Sequence, residues 1–324
     1  MIEKKIPFVG LHAHSVAGSI FDAIGYPNEH MDFCYENGGE ALALTDHGNM
    51  NGFSHQFLHW QKMKDEGKEF KPIFGVEAYF LPSIDEWRDD YDRIKEDKKL
   101  AKSLAKQGDT SGATVEDEDA SKKAIKSVIN RRRHLVLLAQ NQTGLNNLFK
   151  LISASYREEN FYRYPRVDYK MLAEHSEGVI AASACLGGPY AGNYWENRDE
   201  GPEAVREAMR ETTRNFVEVF GDRWYGELQW NNIPEQHELN QHIIEVCKEF
   251  DVTLISTADS HYPNREAWKD RELYKRLGWL GKGTPAWAED NTELPPGVEE
   301  IGYELYPKNG NQIWESYKEY SQNL

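Results

Sequence analysis

Short, unbroken apolar runs recur along this chain, separated by longer stretches in which apolar residues return every three or four positions. The runs read as buried strands and the stretches as amphipathic helices. Pro7 to His12 opens as a strand. Asn28 to Asn37 reads as a helix, with Asn28 as its N-cap and Gly38-Gly39 as its stop. A strand over Ala41 to Thr45, a helix over Gly52 to Glu66 and strands over Pro72 to Phe80 and Leu135 to Ala139 follow. A helix over Leu145 to Tyr156, a strand over Gly178 to Ala184 and a long helix over Glu203 to Phe220 come next. The series closes with a strand over Trp224 to Trp230, a helix over Glu235 to Phe250 and a strand over Thr253 to Thr257.

Strand followed by helix, repeated, predicts an α/β fold with a mainly parallel sheet. The number of such units over residues 1–267 favours one closed barrel over two domains. Two segments break the rhythm. Residues 85–133 are densely charged and read as an insertion, with helical arms over Trp87 to Lys106 and Ala120 to Ile129 and a flexible middle from Gln107 to Asp119. Residues 268–324 change character, with glycine and proline punctuation (Gly281 to Pro285, Leu294 to Gly297) and aromatics, and read as a C-terminal extension or docking segment.

Composition narrows the class. The chain has 324 residues, 39% of them hydrophobic, and a formal charge of -16. That acidity argues against gripping nucleic acid by bulk charge. It leaves room for a metal-dependent nuclease, where divalent ions restore positive charge at the site. There is no apolar stretch of membrane-spanning length and no secretory signal. Cys34, Cys185 and Cys247 are too widely spaced for a disulfide framework, so a reducing, cytoplasmic setting is expected.

The polar residues that interrupt or end the apolar runs change the picture most. His12-Ala13-His14 places two imidazoles on one face of an extended segment. His47 follows the run Ala41 to Thr45, and Asp46 beside it orients a ligand or caps a turn. Glu77 stands inside the apolar run Ile73 to Tyr79, where a carboxylate is costly unless paired or metal-bound. His134 heads the next strand after Arg131, Arg132 and Arg133, which are either a strand-guiding patch or a solvated basic face. Asp259 and His261 repeat the alternation after the last strand. Asp22 alone would be a solvated loop residue, and Cys185 is either core filling or a thiolate ligand. Cys34 and Cys247 fall in helices and read as core, while His30, His55, His59, His175, His237 and His242 read as surface or packing residues. Mixed imidazole, carboxylate and thiolate donors in such number predict two or three divalent ions, zinc, manganese or iron, with Glu77 as the natural bridge. Such clusters suit phosphate ester hydrolysis, since the ions lower the pKa of a bound water and stabilise the leaving oxygen.

In this order, these segments resemble the PHP (polymerase and histidinol phosphatase) superfamily. The likeness is greatest to the PHP domain at the N-terminus of bacterial C-family replicative DNA polymerases of the polymerase III alpha type. The surrounding words match as well: Ala41 to Met50, Gly75 to Tyr79, His134 to Ala139 followed by Asn146-Asn147-Leu148, and Ala184 to Gly188. The resemblance implies a distorted (β/α)7 barrel and a metal set of His12, His14, Asp22, His47, Glu77, His134, Cys185, Asp259 and His261. It implies a metal-dependent 3′–5′ exonuclease able to proofread, with a DNA 3′ end as substrate and a replicative polymerase as partner. The loop from His14 to Asp22 departs from the family's wording and looks one residue longer, which bears on Asp22. The family's polymerase site lies in a palm domain far downstream, for which this chain has no room. A stand-alone protein, the N-terminal piece of a split polymerase or part of a longer one is therefore expected; split replication genes motivate an expectation of phage origin. Alternatives are a small-molecule phosphatase of the histidinol phosphate type and a non-enzymatic metal-binding module that organises a polymerase.

Overall fold

The computed structural model of the protein describes residues 6–106, 127–279 and 304–321. Its strands are β1 (Ala41–Leu44), β2 (Lys71–Phe80), β3 (Arg133–Ala139), β4 (Phe161–Tyr162), β5 (Tyr164–Val167), β6 (Val179–Ala182), β7 (Trp224–Gln229) and β8 (Thr253–Thr257). They form one curled sheet in the order β4-β5-β2-β3-β6-β7-β8, with β1 also on β2. Past β8, Ser260 bridges to Ala13, and Gly10 bridges to Leu42 of β1, both in parallel. The N-terminal segment thus lies between β8 and β1, and the sheet curls into a distorted barrel of seven staves whose seam is held by single bridges. The expected strand over Pro7 to His12 is reduced to these bridges: His14 N–H bonds Ser260 O on one side (2.7 Å), and Ala43 N–H bonds Gly10 O on the other (2.7 Å).

The sheet is less parallel than the strand–helix rhythm predicts. β1 and β2, β6 and β7, and β7 and β8 pair in parallel, but β3 is antiparallel to both β2 and β6. The cause is the charged insertion. It opens with helix α3 (Ile84–Lys106), and a helical turn at 127–130 leads back to β3 at the end of β2 where the chain left. Phe80 is paired with Arg133, so strand, insertion and strand form one long hairpin. Trp87 anchors its base: the ring is buried with Leu81, Ile84 and Val128, and its Nε1–H donates to Val128 O at 2.9 Å. The expected first arm is present; most of the second arm and the expected flexible middle lie outside the described residues.

The other helices cover the outside of the barrel. They are α1 (Pro27–Glu36), α2 (Phe53–Asp65), α4 (Gln142–Ser155), α5 (Tyr169–His175), α6 (Pro189–Asn197), α7 (Pro202–Phe220), α8 (Pro234–Glu249), α9 (Trp268–Trp279) and α10 (Gly310–Tyr320). Helix α1 begins at Pro27, one residue before the expected cap, because the fixed φ of proline suits the first turn and Glu29 accepts the Tyr26 N–H at 2.6 Å. Helix α7 shows why these residues make a helix: Val205, Met209, Thr213, Phe216 and Phe220 recur at helical spacing and are all buried. Phe216 lies flat on Trp224 of β7, with ring centroids 4.1 Å apart and planes 5° apart. The C-terminal residues are packed onto the barrel: Leu305 and Tyr306 join Tyr262 in one buried cluster, and Leu305 O accepts the His261 N–H at 2.7 Å.

Candidate metal centre

Six staves of the barrel end, and the reversed one begins, at the same rim. This solves a problem of direction: His134 heads β3, yet reaches the residues that follow the ends of other strands. His12 and His14 stand on the N-terminal segment, His47 after β1, Glu77 within β2, Cys185 after β6, and Asp259 and His261 after β8. Asp22 reaches the rim from the loop after His14. All nine sequence-predicted positions come together.

The centre has a buried floor and a more open mouth. On the floor, the Nε2 atoms of His12 and His14 are 3.0 Å apart, and Asp259 Oδ1 is 3.2 Å from the first and 3.1 Å from the second. Glu77 lies between floor and mouth. Its Oε1 is 3.5 Å from His12 Nε2 and 3.1 Å from His134 Nδ1; its Oε2 is 3.6 Å from His14 Nε2 and 2.5 Å from His47 Nδ1. At the mouth, Asp22 Oδ2 is 2.9 Å from His47 Nε2 and 3.4 Å from His261 Nε2. Cys185 Sγ is 3.6 Å from His134 Nδ1 and 4.0 Å from Glu77 Oε1.

These donors fit divalent cations. His47 Nδ1, Glu77 Oε2 and Asp259 Oδ1 are buried atoms without a hydrogen-bond partner. The first two approach to 2.5 Å without hydrogen-bond geometry. Buried polar atoms left this way are costly unless a cation uses them. Three groups have donor atoms close enough to share an ion: His14, His47 and His261; His12, His14 and Glu77; His47, Glu77 and His134.

Protonation follows the same crowding. Burial opposes charge on His12, but Asp259 and Glu227 overcome it and raise its pKa. Burial, with His47 and His261 nearby, lowers the pKa of His14. His47 is raised to about 10, since Glu77 and Asp22 outweigh its desolvation. Glu77 and Asp259 are lowered against their burial by the surrounding imidazoles, His134 and His47 for the first and His12 and His261 for the second. Burial beside Glu77 and Asp259 raises the Cys185 thiol, so thiolate ligation there requires a cation to displace the proton.

Several supporting residues escaped the sequence reading. Glu227 of β7 accepts from His12 Nδ1 at 2.7 Å, which directs Nε2 into the centre. Thr257 Oγ1 and Gln229 Nε2 hold the same Glu227 oxygen at 2.5 and 3.1 Å. Like Glu77, Glu227 interrupts an apolar strand, and that signal was available. Ser19 donates to Asp46 Oδ1 at 2.9 Å and lies 3.2 Å from His14 Nδ1, so Asp46 acts through Ser19 rather than on a ligand directly. Arg271 of α9 donates to Asp22 twice, at the backbone O (2.6 Å) and at Oδ1 (2.7 Å). Among the non-glycine residues with positive φ, Phe21, Ala184 and Asp259 are at or next to ligand positions, so backbone strain gathers at the centre. Gly48 follows His47 with φ +66; a Cβ there would meet the Tyr79 ring at 2.9 Å.

Of the remaining histidines, His30 is fully buried and donates from Nε2 to Ile24 O at 2.9 Å, while His59 pairs with Asp32 at 2.8 Å. Cys34 and Cys247 are buried in the core as expected.

The sequence profile of the PHP domain matches residues 10–231. The DNA polymerase III subunit alpha of Aquifex aeolicus (strain VF5) is 36% identical over 259 residues, covering 80% of this chain and 18% of that protein. The same subunit of Borreliella burgdorferi is 33% identical over 317 residues, covering 98% of this chain and 23% of that protein. The chain therefore spans about a fifth of the length of these relatives. Among solved structures, an amidohydrolase from Chromobacterium violaceum with bound sulfate aligns at a TM-score of 0.39 and 13% identity, over 82% of this chain and 96% of that one.

Proposed function

The chain belongs to the PHP domain family, and from that membership we propose that it is a metal-dependent phosphodiesterase removing nucleotides from DNA 3′ ends in association with a replicative polymerase of the polymerase III alpha type. The observation that carries the reading is the convergence of nine imidazole, carboxylate and thiol side chains on one rim, with partnerless buried atoms of Glu77, His47 and Asp259 aimed inward. The nine are taken as the ligands. His12, His14, Glu77 and Asp259 would hold the deeper ion, Glu77, His134 and Cys185 a second, and Asp22, His47 and His261 a third at the mouth. Bound divalent ions supply Lewis acidity toward phosphate oxygens and an activated water.

The chain's own residues prepare that site. Glu227 fixes the His12 ring so that Nε2 faces inward. Ser19 and Asp46 hold the loop that leads from His14 to Asp22. Arg271 keeps one Asp22 oxygen occupied so that the other stays toward His47 and His261. In a chain of charge -16, phosphate would approach only where cations offset the carboxylates, which makes metal loading a condition of substrate binding. No helix among the described residues is long and apolar enough to cross a membrane. We take residues 1–267 as the catalytic barrel, 85–133 as its insertion and 268–324 as the segment available to a polymerase partner, in the cytoplasm of a bacterial or phage-infected cell.

The test is release of nucleotides from 3′-labelled single-stranded DNA with manganese, against a chelator and His14→Ala. Release that needs the metal and His14 is expected. Metal bound at full stoichiometry with no release would overturn the reading in favour of a non-enzymatic metal-binding module.

A further inference from the structure

Three consecutive arginines precede His134, and the structure gives them different surroundings. In the β2–β3 ladder Arg133 pairs with Phe80 and His134 with Tyr79. Arg131 and Arg132 precede the strand, so their contacts rather than strand alternation show where the side chains go. Arg131 Nη1 meets Asp90 Oδ2 at 2.8 Å, and Arg133 is ion-paired with Glu196. Both are neutralised away from the metal centre.

Arg132 is on the side of the centre, and among the described residues it has no carboxylate partner. Its guanidinium lies 3.8 Å from the centroid of the Tyr164 ring and 5.1 Å from that of Tyr79. Nη1 donates to Asn130 O at 3.0 Å, while Nε is buried without a partner. The Tyr79 ring is 6.2 Å from the ring of His47 and 5.7 Å from that of His134, centroid to centroid. Tyr164 meets Tyr79 edge to face at 5.4 Å. Arg166 makes this platform rigid from below: fully buried, it donates to the carbonyls of Ile129 (2.5 Å), Tyr162 (2.9 Å) and Tyr164 (3.0 Å), fixing the turns that carry both Arg132 and Tyr164. An unneutralised, stacked guanidinium thus stands next to Tyr79, whose ring in turn neighbours His47 and His134, in an otherwise acidic protein. A planar donor fork held this way suits a phosphate.

We propose that Arg132, its plane set by Tyr164, binds the phosphate next to the one at the metal centre in a single-stranded nucleic acid. The contact rests on the phosphodiesterase reading and adds what the metal ligands lack, a grip on the strand beyond the scissile group. Arg131 and Arg133 take no part.

The test is fluorescence anisotropy of a labelled oligothymidylate, its 3′ end blocked with phosphorothioates, titrated with the manganese-loaded full chain at several salt concentrations. Arg132→Ala should weaken binding about tenfold, as loss of one charge-assisted phosphate contact does. It should also lower the log–log salt slope by about 0.7, the value for one phosphate contact on a single strand. Arg132→Lys keeps the charge and should keep the slope. Arg131→Ala and Arg133→Ala should match the unaltered chain. Equal affinity and slope for Arg132→Ala, or equal losses in all three alanine variants, would overturn the assignment. Hydrolysis of bis(p-nitrophenyl) phosphate by the unaltered chain reads the metal centre separately. Diester hydrolysis with Arg132-independent binding removes the strand contact alone; Arg132-dependent binding without diester hydrolysis removes the phosphodiesterase reading alone.

Discussion

Replacing Glu227 with glutamine changes one charge and almost no volume, at a residue that stands behind His12. Glu227 is buried, and its Oε1 accepts from His12 Nδ1 at 2.7 Å, from Thr257 Oγ1 at 2.5 Å and from Gln229 Nε2 at 3.1 Å. The amide oxygen of a glutamine can accept the same three bonds, so the His12 tautomer survives. What disappears is the negative charge that makes the imidazole a stronger donor to a cation. A hydrogen bond to a charged group contributes about 1.5–3 kcal/mol and a neutral one about 0.5–1.5 kcal/mol. The difference, about 1–1.5 kcal/mol, corresponds to roughly a tenfold loss of affinity for the ion held by His12. Glu227→Val also removes the acceptor, releases the ring and should bring the loss toward about a hundredfold. Isothermal titration of the metal-free chain with zinc resolves this, because one class of site should weaken while the others keep their affinity. Unchanged affinity in both variants, with circular dichroism showing an intact fold, would mean that His12 does not present Nε2 to an ion.

Arg271→Ala should cost the chain one ion, the one at the mouth, because Asp22 loses both bonds that fix it; elemental analysis after dialysis against buffered zinc would show a fall by one equivalent, and an unchanged count would refute the role. His30 supplies a pH prediction. Its pKa is lowered to about 4 by burial, the nearby His261 also acting downward, so only the unfolded chain takes up a proton as pH falls below about 6.5. Stability is unaffected by this residue above that pH, falls between about 6.5 and about 4, and is lower by about 2 kcal/mol at pH 5, at about 1.4 kcal/mol per unit. Urea unfolding of the metal-free chain at pH 7.5 and 5 should show a smaller pH difference for His30→Gln; equal differences would refute the assignment.

Much of the candidate cluster was legible because several of its members break a local rule. A carboxylate at Glu77 inside an apolar strand, or paired imidazoles at a strand end, is expensive without a use, and that expense shows in the sequence. Glu227 carries the same signature and was passed over, since its strand lies apart from the matching words. Arg271 gave no signal: an arginine on a charged helix looks like any solvated residue until the fold brings it to Asp22. Strand direction was equally hidden. An apolar run such as Leu135 to Ala139 looks the same whichever way it is traversed, so the reversal of β3 depends on the path of the insertion. The three arginines look alike in the sequence, because what distinguishes them, Asp90 beside Arg131, Glu196 beside Arg133 and the Tyr164 ring beside Arg132, comes from distant elements.

The seam of the barrel also sets a schedule. His12 and His14 precede every other candidate ligand in the chain, yet Ala13 closes the ring against Ser260, and Asp259 and His261 flank that bridge. The earliest and latest ligands therefore meet only after every intervening stave has been synthesised. Until then the N-terminal segment has one neighbour, β1, and an incomplete set of donors. Assembly of the candidate centre therefore waits for residues 259–261, and a chain stalled before residue 259 would lack two of its donors, which predicts that complete barrels differ from partial ones in their ability to hold metal.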